Sequence, residues 1–173
     1  MADEIPDEEE SELAGRAPQE EDLAALCRRL NELGARYLIC GGFAIIQAGY
    51  PRFTGDIDLL IDVALENEAR VFEALEILPD KAVRELDPGD VAKYIVCRVS
   101  DDVLVDLMGS ASGIEYEEAA ESIVTRNVLG VPIPFASPQL LWRMKRHTHR
   151  EKDALDLLFL RQLFEAEGIT PPE

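Results

Sequence analysis

The sequence contains no apolar run approaching the roughly 20 residues that cross a bilayer, so no helical membrane anchor is expected. Its first residues are acidic where a secretion signal would be basic, and a soluble cytoplasmic protein is the expectation. Cysteine is scarce: Cys27, Cys40 and Cys97 are odd in number, widely spaced and set among apolar neighbours. That pattern excludes a disulfide framework and a zinc knuckle, and it predicts three small buried side chains. Basic residues are also few, 17 against 35 acids, for a formal net charge of -18. Surfaces that grip duplex nucleic acid need clustered Lys and Arg, so no duplex partner is expected.

What is present is unevenly distributed. Residues 1–22 hold ten acids against the single base Arg16, which is half of the net charge. Through Gln19 the segment also carries Pro6, Gly15 and Pro18 and few large apolar groups. Such a stretch buries too little surface to offset its ordering entropy, which predicts a disordered acidic tail over 1–19. It reads either as a solubilising leader or as an arm for a basic partner protein. The remaining residues, 20–173, suffice for one hydrophobic core and a single domain.

Along that domain, Leu23, Leu26, Cys27, Leu30 and Leu33 recur at helical spacing behind three acids, and Gly34 ends the run. Arg36–Cys40 is strand-like, Gly41-Gly42 breaks it, and a short helix follows to Gly49. Asp56–Val63 reads as a strand, Ala64–Leu78 as a helix stopped by Pro79, and Lys93–Val99 with Val103–Met108 as an antiparallel hairpin. Ile114–Ser122 is expected to be a short helix, and Val131–Phe135 an edge strand, since Pro132 and Pro134 argue against a central position. Ser137 with Pro138 opens a helix to about Arg146 that includes Trp142 as a core residue, and a leucine-rich helix covers about Asp153–Glu165. This order predicts an α/β (α+β) domain, a small mixed sheet flanked by helices.

Three features carry chemistry. A strand ending in Gly41-Gly42 and feeding a helix leaves free N–H groups that a phosphate can approach, although the same pair also makes an ordinary tight turn. In a strand, Asp56 and Asp58 project from one face while Ile57, Leu59 and Ile61 line the other. Two adjacent carboxylates repel unless a cation sits between them, and Mg²⁺ is the natural one; a plain polar edge face is the alternative. Asp106, inside the apolar run VLVDLM, is costly if buried alone and is relieved by a shared cation, or else it belongs to a partly solvated face. His147 and His149 stand two apart at a helix end and so do not share a face. With Arg146 and Arg150 they form a basic cluster that either grips phosphate or pairs with this chain's own acids.

Taken together these residues resemble the polymerase-beta-like nucleotidyltransferases. Cys40-Gly41-Gly42, a thirteen-residue spacer and Asp56-Ile57-Asp58 match the signature of that superfamily, with Asp106 as its third acid. Arg52 and Thr54, and downstream Ser137, Pro138, Lys145, Lys152, Asp153, Asp156 and Leu157, are similar to a small prokaryotic, abortive-infection-type branch. The resemblance spans about Tyr37–Leu160. It implies that Gly41 and Gly42 position a nucleoside triphosphate and that Asp56, Asp58 and Asp106 hold two Mg²⁺ ions. It further implies that Arg52, Thr54, Lys145 and Lys152 lie on the nucleotide side. The implied reaction moves an NMP group from an NTP to an unidentified hydroxyl acceptor on a small molecule, a protein or an RNA end. A catalytically idle relative, acting as a binding or antitoxin-type protein with a partner protein, is the alternative.

Overall fold

The computed structural model describes residues 15–173, so the expected tail lies, for residues 1–14, outside the described residues. Residues 15–19 lie against the domain. The Arg16 N–H donates to the Asp102 carbonyl, and its guanidinium reaches the carboxylates of Asp22 and Asp102. Helix α1 (Glu20–Glu32) starts behind Gln19, whose N–H donates to Asp22 at 2.7 Å. Its acid-rich first turn suits the positive end of the helix dipole. Leu23, Leu26, Cys27 and Leu30 form its buried stripe, as their spacing requires.

Strand β1 (Tyr37–Cys40), helix α2 (Gly41–Ala48), strand β2 (Asp56–Ile61) and helix α3 (Leu65–Leu75) follow. A 3₁₀ turn (Ala82–Glu85) and a single helical turn α4 (Asp90–Lys93) precede the hairpin β3 (Cys97–Ser100) and β4 (Leu104–Met108). The strand expected from Lys93 begins only at Cys97, because the buried Glu68 carboxylate accepts the N–H groups of Gly89 and Val91 and holds the helical turn. Next come the two-residue strands β5 (Ser110–Ala111) and β6 (Ile114–Glu115), helix α5 (Tyr116–Ala119) and a 3₁₀ turn (Ala120–Ser122). The helix expected over Ile114–Ser122 is therefore shorter: Ser112 and Gly113 both take positive φ and turn the chain into the β5–β6 ribbon first.

Strands β7 (Ile123–Val128) and β8 (Val131–Ala136) and helices α6 (Pro138–Lys145) and α7 (Glu151–Glu167) complete the chain. The main sheet has the order β3-β4-β2-β1-β8-β7 and is mixed: β2 runs parallel to β4 and β1 parallel to β8, while the other pairs are antiparallel. Helix α1 packs on β8 and α3, and α2 packs on β1, β2 and α6.

Two expectations need correction here. Strand β7 has no counterpart in the sequence-based order, and β8 is not an edge, since β7 covers it along its full length. Leu129 and Gly130, both at positive φ, form the two-residue turn that pairs Val128 with Val131. In that register Val131, Ile133 and Phe135 exchange bonds with β7, and Pro132 and Pro134 face β1. The missing donors fall on that side, where the pairing is brief, Ile39 with Phe135. All three cysteines and Trp142 are buried, as expected.

Candidate functional site

The sheet register brings the three aspartates together. Asp58 lies opposite Asp106 in the parallel β2–β4 pair, and Asp56 precedes Asp58 by two residues on the same face. Ligand oxygens of Asp56, Asp58 and Asp106 all lie within 4.8 Å of one another. Two of the carboxylates resist ionisation. Burial, then the charges of Asp56 and Asp106, push Asp58 up to about 7. Burial and the Asp106 charge also raise Asp56. No N–H or hydroxyl of the described residues donates to the Asp58 carboxylate, which leaves an all-oxygen, electron-rich corner suited to a hard divalent cation.

The direction of the Asp58 shift fixes a pH dependence. A raised folded-state value means that the protonated form favours folding: this contribution is full below about pH 4, the ordinary carboxylate range, and is lost as the pH rises through about 7. In metal-free solution the wild type is expected to lose stability between about pH 4 and pH 7 relative to Asp58→Asn. Parallel thermal melts of the two proteins measure this; identical slopes would show that Asp58 ionises freely.

The glycines explain how the strand end meets the acids. Gly41 sits at φ +67°, and a Cβ there would overlap the Asp58 carboxylate. A Cβ on Gly42 would collide with Thr54, whose Cβ would lie 2.6 Å away. Thr54 in turn donates through its hydroxyl to the Asp56 carbonyl at 3.1 Å. The start of α2 thus packs against the acid pair with no side chain between them. Gly41→Ala combines a strained φ with that overlap, and it is expected to cost at least about 1 kcal/mol in a denaturant melt and to displace Asp58.

An open cleft of about 950 Å³ spreads from these residues, lined by Gly41, Gly42, the three aspartates and cations of α6 and α7. The cations differ in state. Lys145 is buried and its Nζ lies 2.8 Å from Asp153 and 3.1 Å from Asp156. Arg52 reaches the fully buried Asp156, donating through Nη2 at 3.0 Å, with Nε 2.9 Å from the other oxygen but poorly aligned for a hydrogen bond. Asp153 also accepts from Thr148 and Arg150. Burial works against this carboxylate, but the bonds from Lys145, Thr148 and Arg150 outweigh it and hold Asp153 down to about 2. Lys152 lines the cleft with no ion-pair partner among the described residues, and its charge eases the ionisation of Asp56 and Asp58.

The nine residues expected on the nucleotide and metal side border one cleft: Gly41, Gly42, Arg52, Thr54, Asp56, Asp58, Asp106, Lys145 and Lys152. His147 and His149 do not join the acid cluster. Arg98 was missed. Its guanidinium bonds Asp106 and touches Asp56, and the hairpin register that puts it opposite Asp106 was the available signal. Asp153 and Asp156 formed part of the C-terminal pattern, yet that pattern did not show that they hold Lys145 and Arg52.

No protein-family model matches the sequence, and no curated protein is significantly similar to it. Solved structures are similar in fold. A crystal structure of an antigenic nucleotidyltransferase-like protein from Paracoccidioides brasiliensis aligns with a TM-score of 0.51 at 20% identity, covering 83% of this chain and 75% of that one. A crystal structure of a Thermotoga maritima protein, provisionally assigned as a nucleotidyltransferase, covers 86% of this chain and 88% of its own at 18% identity and a TM-score of 0.48. Among the described residues no helix is long and apolar enough to cross a membrane.

Proposed function

We propose, from a mixed sheet shared with nucleotidyltransferase-like proteins and the acid cluster it carries, that this protein is a divalent-metal-dependent nucleotidyltransferase. The observation that carries the reading is the close approach of Asp56, Asp58 and Asp106 beside a glycine-opened helix start. The donor set fits Mg²⁺: three carboxylates, no softer ligand, and one of them without a protein donor. Asp56 and Asp58 would hold one ion, and Asp106 would contribute to a second. Mg²⁺ bound there supplies charge stabilisation for the triphosphate and the reacting oxygens.

This chain's own residues do the rest. Gly41 and Gly42 let phosphate oxygens approach the N–H groups at the start of α2, where the helix dipole favours negative charge. Lys152 adds an exposed cation, without an ion-pair partner among the described residues, on the same cleft. Lys145 and Arg52 are fixed by Asp153 and Asp156, so they shape that wall and contribute a positive field from a rigid position. In the reaction an acceptor hydroxyl oxygen forms a bond to the α-phosphorus and gives up its proton to solvent, the bond from that phosphorus to the bridging β-phosphate oxygen breaks, and pyrophosphate leaves. The acceptor class stays a small molecule, a protein side chain or an RNA end. A cytoplasmic location and kinship with the abortive-infection-type branch belong to the same proposal.

One observation favours a second reading. Arg98 already lies on two of the three carboxylates, which is what an idle, antitoxin-type binding protein would tolerate. Thermal melts with each NTP, with and without Mg²⁺, followed by incubation with α-labelled NTPs and candidate acceptors, separate the two. Metal-dependent stabilisation with label transfer supports the enzyme, whereas no shift with any NTP, or a shift without transfer, supports the idle relative.

A further inference from the structure

We propose that Arg98 holds the Asp106 side of the acid cluster as a built-in cation. The folded protein by itself then offers one divalent-ion position, on Asp56 and Asp58, and a second ion enters only by displacing this guanidinium. The inference rests on the metal-site reading above and deepens it.

Both oxygens of Asp106 are occupied. Arg98 Nε donates to one at 2.8 Å and Nη2 to the other at 2.9 Å, a fork-on-fork geometry that a guanidinium makes and a lysine cannot. The same Nη2 also lies 3.3 Å from an oxygen of Asp56. A single side chain therefore neutralises one acid and leans on a second, while the third, Asp58, has no donor.

The sheet register makes this placement systematic. Antiparallel pairing sets Arg98 across from Asp106, and parallel pairing sets Asp58 across from Asp106 on the other side. The three side chains form one row over β3, β4 and β2, at the spacing where cross-strand neighbours interact directly. Three carboxylates and one guanidinium leave two negative charges, which one divalent ion balances.

The contact is also reversible by construction. The Arg98 side chain is 52% exposed, so water can receive its charge when an ion takes its place. Lys145, by contrast, is buried and locked between two aspartates. The Arg98 pair is thus the exchangeable cation of the cleft, and the α6–α7 pairs are the permanent ones.

The test is a Mn²⁺ titration of the full chain without nucleotide, with free Mn²⁺ counted by electron paramagnetic resonance. The wild type is expected to bind one ion, with any second at least about tenfold weaker, the scale of one nearby charge in a partly solvated site. Arg98→Gln is expected to bind two ions with affinities within about threefold of each other, the first about tenfold tighter than in the wild type. Equal stoichiometry and affinity in the two proteins would overturn the role of Arg98 while leaving the metal site standing. No Mn²⁺ on either protein at millimolar concentration would remove the metal reading itself, and this inference with it. Near-UV circular dichroism checks that the Gln variant is folded. Should it not be, Arg98→Met carries the test, because it keeps much of the apolar stem and loses the charge; an unchanged second-ion affinity there overturns the proposal.

Discussion

Asp58→Ala is expected to abolish the Mg²⁺-dependent stabilisation by NTP and to reduce nucleotidyl transfer by at least about 1000-fold, the scale of losing a metal's charge stabilisation at the reacting centre. Saturating ligand at a hundred times its dissociation constant adds about 2.7 kcal/mol. In a domain of this size that is a rise of roughly 5–10 °C in melting temperature. The variant should melt with no such rise. Its basal stability should hold or improve, because removing a carboxylate whose ionisation is opposed by burial and two neighbouring acids relieves the folded state. This combination, a more robust protein that no longer responds to Mg²⁺ and NTP, separates a metal ligand from a structural residue. If Asp58→Ala still showed a full metal-dependent shift, the acid cluster would not be the binding site.

Asp156→Ala is expected to act in the opposite sense, on stability first. Asp156 is fully buried and faces both Arg52 and Lys145, so its removal strands cationic groups in a low-dielectric setting. Breaking a buried pair by deleting one partner costs about 3–5 kcal/mol, a large share of the roughly 5–15 kcal/mol that holds a domain together. The melting temperature should fall by roughly 10 °C or more. Asp153 still engages Lys145, which places the larger disturbance at Arg52 and the loop before β2. A denaturant melt measures the loss. A cost below about 1 kcal/mol would mean that the network is solvated and that Lys145 and Arg52 are freer than their burial implies.

Much of this was legible in the sequence, for identifiable reasons. Alternation along β2 placed Asp56 and Asp58 on one face, and Gly41-Gly42 marked the strand-to-helix turn, because both depend on local backbone geometry. The β3–β4 hairpin was also readable from its polar turn. What could not be read was set by partners distant in sequence. Strand β7 is largely exposed, with Val128 its one buried residue, and its apolar Ile123, Val124 and Val128 do not alternate with polar residues, so it lacks the period-two signal on which strand recognition relies. The prolines of β8 read as edge markers, but a strand has two sides, and its missing donors all fall on one. Lys145 and Arg52 read as free cations because nothing local shows that α7 turns Asp153 and Asp156 toward them. Arg98 is intermediate: once the hairpin's turn is fixed, counting back from Asp106 reaches it.

The parallel pairing of β2 with β4 has a consequence for how the site comes into being. Asp58 and Asp106 belong to strands that cannot be joined by a simple turn, and the intervening chain must cross over before they meet. Such long-range pairings are closed late, after the loop entropy has been overcome, and they are absent from a loosely collapsed chain. The three carboxylates are therefore strangers until the sheet is complete, and their mutual repulsion is felt only by the finished fold. A divalent ion that recognises the cluster recognises the native topology with it, so the same cation that would serve chemistry acts as a clasp on the crossover.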